Sequence, residues 1–266
     1  MSEKIPDNNA TESWLQFYRS HDNQSANISP FSKLNSYNKS FFELVSKEIY
    51  LRREHNEKVR IWSAGSGIDP VSLKLKEIYK DDIELTIFDV SRECIRENKI
   101  AFERHHLSAN FVIDDLFNSN YLNEFDIVMN TGLLEHFSND QQKSLMEIFS
   151  KSLRSSGIYV TYVPYSRGKL YVHCMERMKK KGTWELGREI PITTFKEMRI
   201  NELMLVEEYS LDALYQLSFI RPAHPFLGSI VYPMILFLMN FPSIFEPIFL
   251  KIINGYGLFA LFKRID

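Results

Sequence analysis

Residues 58–72 read KVRIWSAGSGIDPVS, and this stretch decides how the rest of the chain is organised. Val59, Ile61 and Trp62 are apolar and β-prone, as a strand buried in a parallel sheet requires. Small residues follow from Ala64 to Gly67, where the backbone can turn sharply. Asp69 then precedes Pro70, and proline is favoured at the first position of a helix. A strand, a glycine turn and a helix N-terminus in this order predict a nucleotide-binding site.

The glycine turn lacks the marks of the two common phosphate-binding loops. A dinucleotide fingerprint has a third glycine where this chain has Pro70, and no Lys-Ser or Lys-Thr pair of a P-loop follows Gly67. The remaining pattern, Gly-x-Gly with Asp69 behind it, suits a cofactor without phosphate whose amino-acid part the backbone can approach. An ordinary connection between a strand and a helix has the same composition, and this alternative stays open.

Strand and helix patterns alternate along the chain after this turn. Apolar, β-prone runs predict four more strands, at residues 83–90, 110–113, 124–130 and 158–163. Helical patterns predict helices at 70–80, 91–105 and 138–157, the last opened by a capping box at Ser138 and ended by Gly157. We also expect helices at 38–55 and 194–197, and a loosely ordered arm at 1–35 with one short helix at 11–20. This alternation predicts a parallel sheet covered by helices on both faces.

Acidic residues end the second and third predicted strands. Asp89 lies about 20 residues beyond the glycine turn, where a carboxylate can accept hydrogen bonds from both hydroxyls of a ribose. Its alternative role is to cap the helix that begins near Ser91. Asp114, Asp115 and Leu116 follow the third strand, and acids beside an apolar residue suit the exocyclic amine and the face of an adenine ring.

Five segments in this order, AGSG, IFDVS, FVIDDL, FDIVMNTGLLEHF and SSGIYVTYVPY, resemble the class I S-adenosylmethionine-dependent methyltransferases over residues 58–165. The resemblance implies an α/β fold of three layers, with a doubly wound sheet of seven strands that is mostly parallel and has an antiparallel last strand. Its sixth and seventh strands would be 203–210 and 256–263. An N-terminal helical arm and a helical insertion between strands six and seven complete this expectation.

The resemblance also implies S-adenosyl-L-methionine as the cofactor. The implied cofactor-binding residues are those of the strand ends and turns, namely Ala64, Gly65, Ser66, Gly67, Asp69, Asp89, Val90, Asp114, Asp115, Leu116, Asn130 and Thr131. Two positions depart from the family pattern. The usual acidic residue of the first strand is absent from Trp62-Ser63, and the usual Cys between the glycines is Ser66.

The residues after the fourth strand include the candidate catalytic pair Glu135 and His136. In the family the acceptor lies here, and His136 would be a general base because an imidazole titrates near neutral pH. Alternatively, the two residues form a structural pair that orients the loop, since the same letters occur in methyltransferases with different substrates. A similar EHF sequence in the mycolic-acid cyclopropane synthases uses its Glu to help hold an anion, and Glu135 matches that position.

Candidate substrate residues lie between the fifth and sixth strands, where this fold commonly covers the acceptor. They are Tyr165, Tyr171 and Trp184. A peripheral helix with a solvated basic face explains the same residues equally well, because this segment also contains several Lys and Arg residues.

The segment 211–254 stands where a tight hairpin would connect the last two strands. It is strongly apolar from Phe226 onward, yet prolines divide it into runs too short to span a bilayer. We expect two or three short helices that form a lid over the carboxyl ends of the strands. The residues expected near the acceptor are Tyr232, Phe237 and Phe241. A homodimer surface is the next alternative, and a membrane patch is the least favoured, because Lys251 is the one Lys or Arg between Phe226 and residue 254.

Composition argues against several classes of protein. The formal net charge of −2, with no basic stripe, argues against nucleic-acid binding. The two cysteines, Cys94 and Cys174, suggest neither a disulfide framework nor a metal site, so we expect no metal and a reducing, cytoplasmic location. The polar stretch 1–13 lacks the apolar core of a signal peptide.

These expectations divide the chain into an N-terminal arm and helix (1–55) and a cofactor-binding domain (56–266). The resemblance implies transfer of a methyl group from S-adenosylmethionine to an O, N or C atom of a small, hydrophobic or aromatic molecule. The competing expectation is a catalytically inactive chain that keeps the fold as an interaction scaffold, because its glycine turn departs from the family pattern.

Overall fold

One mixed sheet of seven strands forms the centre of the protein. The structure is a computed structural model that describes residues 34–53 and 58–265, so most of the expected arm and its helix at 11–20 lie outside it. The strands are β1 (Val59–Ala64), β2 (Ile83–Asp89), β3 (Asn110–Ile113), β4 (Phe125–Thr131), β5 (Leu153–Pro164), β6 (Leu203–Leu211) and β7 (Gly257–Arg264). Their order in the sheet is β3-β2-β1-β4-β5-β7-β6. Strands β1 to β5 pair in parallel, whereas β7 is antiparallel to both β5 and β6. The predicted fold class is confirmed.

Helices connect the strands and cover both faces of the sheet. They are α1 (Ser36–Arg53), α2 (Pro70–Tyr79), α3 (Arg92–Arg104), α4 (Asn139–Ser152), α5 (Lys169–Lys181), α6 (Ile220–Ala223), α7 (Pro225–Asn240) and α8 (Pro242–Ile253). Short 3-10 turns occur at 80–82, 116–118, 134–136 and 214–219. The last of these and α6 to α8 form the helical insertion expected between β6 and β7.

Each face of the sheet has its own apolar core. On one face, α1, α2 and α3 pack against Ile61 and neighbouring strand residues. On the other face, α4 and the segment 192–205 pack against Trp62. Adjacent residues of a strand point to opposite faces, so the complete burial of both Ile61 and Trp62 shows that β1 is covered on both sides.

The parallel strands bring their carboxyl ends to one edge of the sheet. Ala64 pairs with Phe88, Asp89 with Ile113, and Thr131 with Tyr162. The loops that follow these strands therefore meet at this edge, which is where ligands bind in open sheets of this kind. The predicted site residues of the glycine turn and of the second to fifth strand ends all come from these loops.

Two local predictions are wrong. Gly157 does not end a helix, because α4 ends at Ser152 and Gly157 lies inside β5, where the register against β4 shifts. No helix forms at 194–197 either. Thr194 donates its hydroxyl proton to the Glu208 carboxylate of β6 at 2.8 Å, and Phe195 is buried against the sheet. A contact with a distant strand thus replaces the local cap that the sequence pattern suggested.

Replacing Phe149 by Ala should lower the free energy of unfolding by about 3–5 kcal/mol. The ring is fully buried, and its centroid lies 5.5 Å from Trp62 and 5.1 Å from Tyr159, so truncation leaves a cavity. Chemical denaturation measures the loss. Leu122→Ala is the control, because Leu122 is 63 % exposed and should change stability by less than about 0.5 kcal/mol. Equal losses in the two variants would contradict this core assignment.

Candidate active site

The glycine turn after β1 adopts a conformation that side chains disfavour. Gly65 and Gly67 have φ angles of 64° and 53°. A Cβ on Gly65 would lie 2.5 Å from the Cδ1 atom of Leu133 in the loop after β4. The missing side chain therefore lets the two loops approach each other at the edge of the sheet. The Ser66 amide donates to the Phe88 carbonyl at 3.0 Å, which fixes the turn against β2.

Asp69 places a carboxylate next to the end of β1. Its Oδ1 accepts from the Ser72 amide at 2.8 Å and caps α2, with Pro70 in the first turn as predicted. Its Oδ2 accepts from the Ser63 hydroxyl at 2.6 Å. Burial raises the pKa of Asp69, while the bonds from Ser63 and Ser72 oppose this shift. The family pattern has an acidic residue in β1 where this chain has Trp62-Ser63. Because the Asp69 carboxylate bonds to the Ser63 hydroxyl, it provides an acidic group beside this part of β1.

Asn98 of α3 is a positioning residue that the sequence analysis missed. Its Nδ2 donates to the Gly67 carbonyl at 2.6 Å, and its Oδ1 accepts from the Asp69 amide at 2.8 Å. The side chain is fully buried. A polar residue between the buried Ile95 and Phe102 on one helix was the available signal, because buried amides need partners.

Asp89 stands at the end of β2, as predicted, and faces the glycine turn. Its Oδ2 accepts from the Gly67 amide at 2.8 Å, and its Oδ1 accepts from the Ser91 amide at 2.8 Å. The alternative role as a helix cap is wrong, because Ser91 is the N-cap of α3 and accepts from the Cys94 amide at 3.2 Å. The Asp89 carboxylate has further lone pairs for a ribose. Burial raises the pKa of Asp89 despite these bonds. Val90 beside it is exposed to solvent.

The residues after β3 form a short turn at the same edge. Asp115 caps this turn by accepting from the Phe117 amide at 3.0 Å, whereas Asp114 is exposed and accepts from the Asp115 amide at 2.7 Å. Leu116 is buried against the core that contains Phe88. Neither acid is buried, so both are accessible to a polar group of a ligand.

Asn130 and Thr131 end β4, but their side chains lie in different surroundings. The Asn130 amide is buried, donates to the Tyr159 hydroxyl at 2.9 Å and accepts from the Thr161 hydroxyl at 2.7 Å. These bonds hold the Asn130 side chain against residues of the adjacent strand β5. Thr131 is half-buried at the strand end.

A small cavity lies between α1 and the ends of β1 and β4. It is lined mainly by predicted cofactor residues and by residues of α1, including Ser63, Ser66, Asp69, Asn130, Thr131, Asn38 and Phe41. Hydroxyl, amide and carboxylate groups therefore meet beside the glycine turn. Such a set fits the ammonium and carboxylate ends of an amino-acid moiety.

The loop after β4 carries a buried carboxylate. Glu135 is 2 % exposed, and its Oε2 has no hydrogen-bond partner among the described residues. Its Oε1 lies 3.5 Å from the point that a Cβ on Gly132 would occupy, and the Tyr37 hydroxyl lies 3.8 Å from that point. The acid and the tyrosine hydroxyl thus both lie close to the backbone at Gly132. Burial, followed by repulsion from Glu189, raises the pKa of Glu135 well above its ordinary value.

His136 lies beside this acid with one ring nitrogen already engaged. Its Nδ1 lies 2.8 Å from the Arg188 carbonyl, which requires a proton on Nδ1. Its Nε2 faces Glu135 Oε1 at 3.7 Å. Burial lowers the pKa of His136 to about 4, so the ring is neutral at neutral pH. The predicted catalytic pair is brought together by the structure.

Glu189 is a second buried carboxylate that the sequence analysis missed. It is 4 % exposed and accepts a hydrogen bond from the Tyr171 hydroxyl. Burial raises its pKa to about 8. Its backbone carbonyl accepts from Lys179 at 2.9 Å. No sequence signal identified Glu189, because it lies in an irregular segment far along the chain from Glu135.

Aromatic side chains from four segments of the chain surround these acids. Tyr256 is central to the group: its ring centroid lies 4.8 Å from Tyr171, 4.8 Å from Tyr215, 5.5 Å from Tyr37 and 5.5 Å from Phe219. We call these five residues the tyrosine cluster. The charges of Glu189 and Glu135, after burial itself, contribute to raising the pKa of Tyr256, so both acids lie close to the cluster.

The predicted substrate residues separate into two groups. Tyr171 belongs to the tyrosine cluster, and Trp184 lies beside it at 6.3 Å between ring centroids. Tyr165 follows β5, and its amide donates to the Tyr256 carbonyl at 2.8 Å. Tyr232, Phe237 and Phe241 lie elsewhere, on exposed surfaces of the insertion, and the structure does not bring them to the cluster.

Comparison with known proteins matches the part of the chain that contains the glycine turn and the loop after β4. Residues 61–157 match the family model described as a methyltransferase domain. Comparison with curated protein sequences gave no match. The match to the family model assigns residues 61–157 to a methyltransferase domain, and together with the fold it supports the class I S-adenosylmethionine-dependent methyltransferase superfamily.

Solved structures with low sequence identity share the fold of this methyltransferase. One is a putative sarcosine dimethylglycine methyltransferase from Galdieria sulphuraria, with 11% identity, a TM-score of 0.57, and coverage of 96% of this chain and 97% of that chain. Another is coclaurine N-methyltransferase bound to N-methylheliamine and SAH, with 14% identity, a TM-score of 0.56, and coverage of 88% and 75%. A third is the [4+2]-cyclase SpnF, with 13% identity, a TM-score of 0.55, and coverage of 84% and 80%. At these identities the likeness shows the fold alone.

The residues of this methyltransferase fit S-adenosylmethionine, the cofactor of the superfamily. The glycine turn at Gly65 and Gly67, whose backbone carries no side chains of its own, and the polar groups around Asp69 would hold the amino-acid part. Asp89 would hold the ribose, and the turn at 114–116 would lie beside the adenine.

Replacing Asp89 by Ala should weaken the binding of S-adenosylmethionine by about 1.5–3 kcal/mol, because hydrogen bonds to a charged acceptor are lost. Titration calorimetry measures the affinity. Asp81→Ala is the matched control, since Asp81 is exposed beside the opposite end of β2. Unchanged affinity in the Asp89 variant would show that the ribose is held by other groups.

Glu189 should make the stability of the protein decrease with rising pH. Its folded pKa of about 8 exceeds the ordinary value of 4.5, so the folded state holds an extra proton between these values. Stability is therefore greatest below about pH 4.5 with respect to this group, and it falls as the pH rises toward 8. Each pKa unit corresponds to about 1.4 kcal/mol.

Urea unfolding at several pH values tests this expectation. Relative to Glu189→Gln, which keeps an acceptor for the Tyr171 hydroxyl, the wild type should lose at least about 1–2 kcal/mol between pH 5 and pH 8. Parallel stability curves for the two proteins would show that Glu189 ionises normally in the folded state.

Proposed function

We propose that this methyltransferase transfers the methyl group to a small, hydrophobic or aromatic amine that binds beside the tyrosine cluster. The observation that carries the proposal is the Glu135 carboxylate, which is buried with one oxygen unpartnered among the described residues and lies, with the Tyr37 hydroxyl, beside Gly132. A buried carboxyl without a partner is costly, and a ligand that donates a hydrogen bond to it removes this cost.

An amine suits this site better than a neutral acceptor. Glu135 and Glu189 are both buried, and each would repel the other if both were ionised. A protonated amine between them would offset this repulsion, and tyrosine faces attract an ammonium group. The apolar surfaces of Tyr256 and Phe219 would accommodate the rest of a hydrophobic molecule.

The chain's own residues would orient the acceptor and receive its proton. When bound, S-adenosylmethionine supplies an electrophilic methyl group on its sulfonium. Leu133, which contacts the glycine turn, and Glu135 lie on one loop, so this loop would hold the acceptor nitrogen in line with the methyl group. Glu135 would accept the proton that the ammonium group loses before its nitrogen attacks the methyl group, because burial raises the pKa of this carboxylate and makes it a stronger base.

His136 would support this acid rather than act on the acceptor directly. Its Nδ1 bond to the Arg188 carbonyl fixes the loop against the segment that contains Glu189. Its low pKa makes it a weak base. In this proposal His136 is therefore a positioning residue, and Glu135 takes the role that the sequence analysis gave first to His136.

A scaffold without methyl transfer is the second candidate. Ser63 stands in the pair where the family pattern has an acid, and the [4+2]-cyclase with the same fold illustrates that the fold alone does not fix the reaction. Retained cofactor binding without turnover of any acceptor would favour this candidate.

Formation of S-adenosylhomocysteine with a panel of hydrophobic amines and shape-matched alcohols tests the proposal. We expect turnover with amines, and Glu135→Gln should lower kcat by about 10²–10⁴-fold with little change in cofactor affinity. Glu124→Gln, at an exposed carboxylate, is the control. Turnover of the alcohols alone would overturn the assignment of an amine. A Glu135→Gln variant within a few-fold of the wild type would remove Glu135 as the base.

A further inference from the structure

The helices α7 and α8 expose apolar side chains that a lid would be expected to bury. In α7 the buried or half-buried positions are confined to one stripe, residues 228, 231, 235, 238 and 239. The other positions are exposed, although the helix contains no charged residue. A helix that is apolar all round is normally buried in a protein core or in lipid.

The exposed apolar surface is large and continues into α8. We call it the apolar face, and it comprises Phe226, Leu227, Ile230, Tyr232, Met234, Leu236, Phe237, Phe241, Ile244, Ile248 and Ile252. Phe226 is 83 % exposed. Ile244, Ile248 and Ile252 recur every four residues and therefore share one side of α8. Soluble proteins rarely expose a continuous apolar surface of this extent.

The inner sides of these helices already have partners, so the apolar face points away from the site. Ile235 packs against Leu214 and Leu217 of the 3-10 turn that follows β6. Glu246, an acidic residue of α8, accepts from the Leu214 amide at 3.0 Å. The insertion is thereby fixed to the domain by its inner stripe, and the prediction that Tyr232, Phe237 and Phe241 lie near the acceptor finds no support in this arrangement.

A basic surface adjoins the apolar face. Residues 167–181 contain six Lys or Arg residues and one acid, Glu176, although the whole chain has a net charge of −2. Arg177 Nε and Lys181 Nζ both donate to the Ala223 carbonyl, at 3.0 and 2.9 Å, immediately before α7. Arg221 lies 5.0 Å from the centroid of the Tyr232 ring in the apolar face. The basic residues that α7 and α8 lack, apart from Lys251, are thus supplied by α5 and by Arg221 of α6.

We propose that the apolar face and this basic surface together bind the surface of an anionic lipid bilayer. The apolar side chains would enter the boundary between headgroups and acyl chains, while the flanking Arg and Lys residues would contact anionic headgroups. Within the described residues, no single helix is long and apolar enough to cross a membrane, and the pair α7 and α8 bends by 112°. This shape suits helices that lie in the plane of the interface.

A second copy of the chain fits this surface less well. A two-fold interface pairs this surface with itself, and the basic residues would find few acids there, because Glu176 is the one acid in 167–181 and Glu246 is bonded to the Ala213 and Leu214 amides. An anionic bilayer matches both the apolar and the basic parts. The proposal concerns where the protein binds, and it holds whichever acceptor the site methylates.

Flotation of the full chain with lipid vesicles tests the proposal. We expect strong binding to vesicles of phosphatidylcholine mixed with phosphatidylglycerol, and weaker binding to phosphatidylcholine alone. Ile230→Glu should reduce binding to the mixed vesicles at least about tenfold, since it places a charge in the apolar face. Arg221→Glu should reduce the same binding by about tenfold, because it reverses a charge at the edge of that face.

Two variants with similar exposure are the controls. Leu122→Glu changes an exposed apolar residue outside the apolar face, and Arg104→Glu reverses an exposed charge at the end of α3. Both should bind vesicles like the wild type, and thermal unfolding should show that all four variants are folded. Absence of vesicle binding by the wild type would overturn the proposal. So would a concentration-dependent dimer that Ile230→Glu dissociates while vesicle binding is unaffected.

Discussion

The backbone of the turn from Gly65 to Gly67 depends on side chains that reach it from α3 and β2. Asn98 bonds both to the Gly67 carbonyl and to the Asp69 amide, and Asp89 accepts from the Gly67 amide. A turn with positive φ angles has few conformational restraints of its own. These hydrogen bonds therefore define the shape that a cofactor meets, and they link the stability of the βαβ unit directly to binding.

The part of the site that contains Glu135 and Glu189 lowers the stability of the fold instead of raising it. Glu135, Glu189 and the tyrosine cluster place ionisable groups in surroundings that disfavour charge. Such an arrangement costs stability, and buried groups with shifted pKa values are typical of functional sites. The cofactor half is thus satisfied by internal hydrogen bonds, whereas the acceptor half is left with an unpartnered carboxyl oxygen that a ligand would complete.

The sequence predicted those features that depend on short stretches of chain. The strand, turn and helix around Gly65, the acid at the end of β2 and the capping box at Ser138 each have a local signal, and each forms as expected. Glu189 and Tyr37 had no such signal, because their roles come from contacts with residues far away in the chain. The helix expected at Thr194 failed for the same reason: its cap residue bonds to β6 instead.

The charge around the insertion also depends on residues that are distant in the sequence. Taken alone, the stretch after Phe226 has one basic residue, and a membrane patch was therefore the least favoured interpretation. The fold places the basic helix α5 beside the start of that stretch and thereby changes its electrostatic environment. Charge that is distributed over several elements is invisible to an analysis of one segment.

The position of β7 has a consequence for synthesis of the chain on the ribosome. β6 pairs with β7 alone, and β5 has its second neighbour only when β7 is in place. The apolar helices α7 and α8 precede β7 in the chain, so they emerge while the sheet still has an open edge at β5 and β6 has no partner. During this interval the nascent protein exposes an unpaired strand edge and its most apolar segment together, which are the features that chaperones bind and that promote aggregation. Expression yield should therefore depend on whether chaperones bind α7 and α8 before β7 has been synthesised.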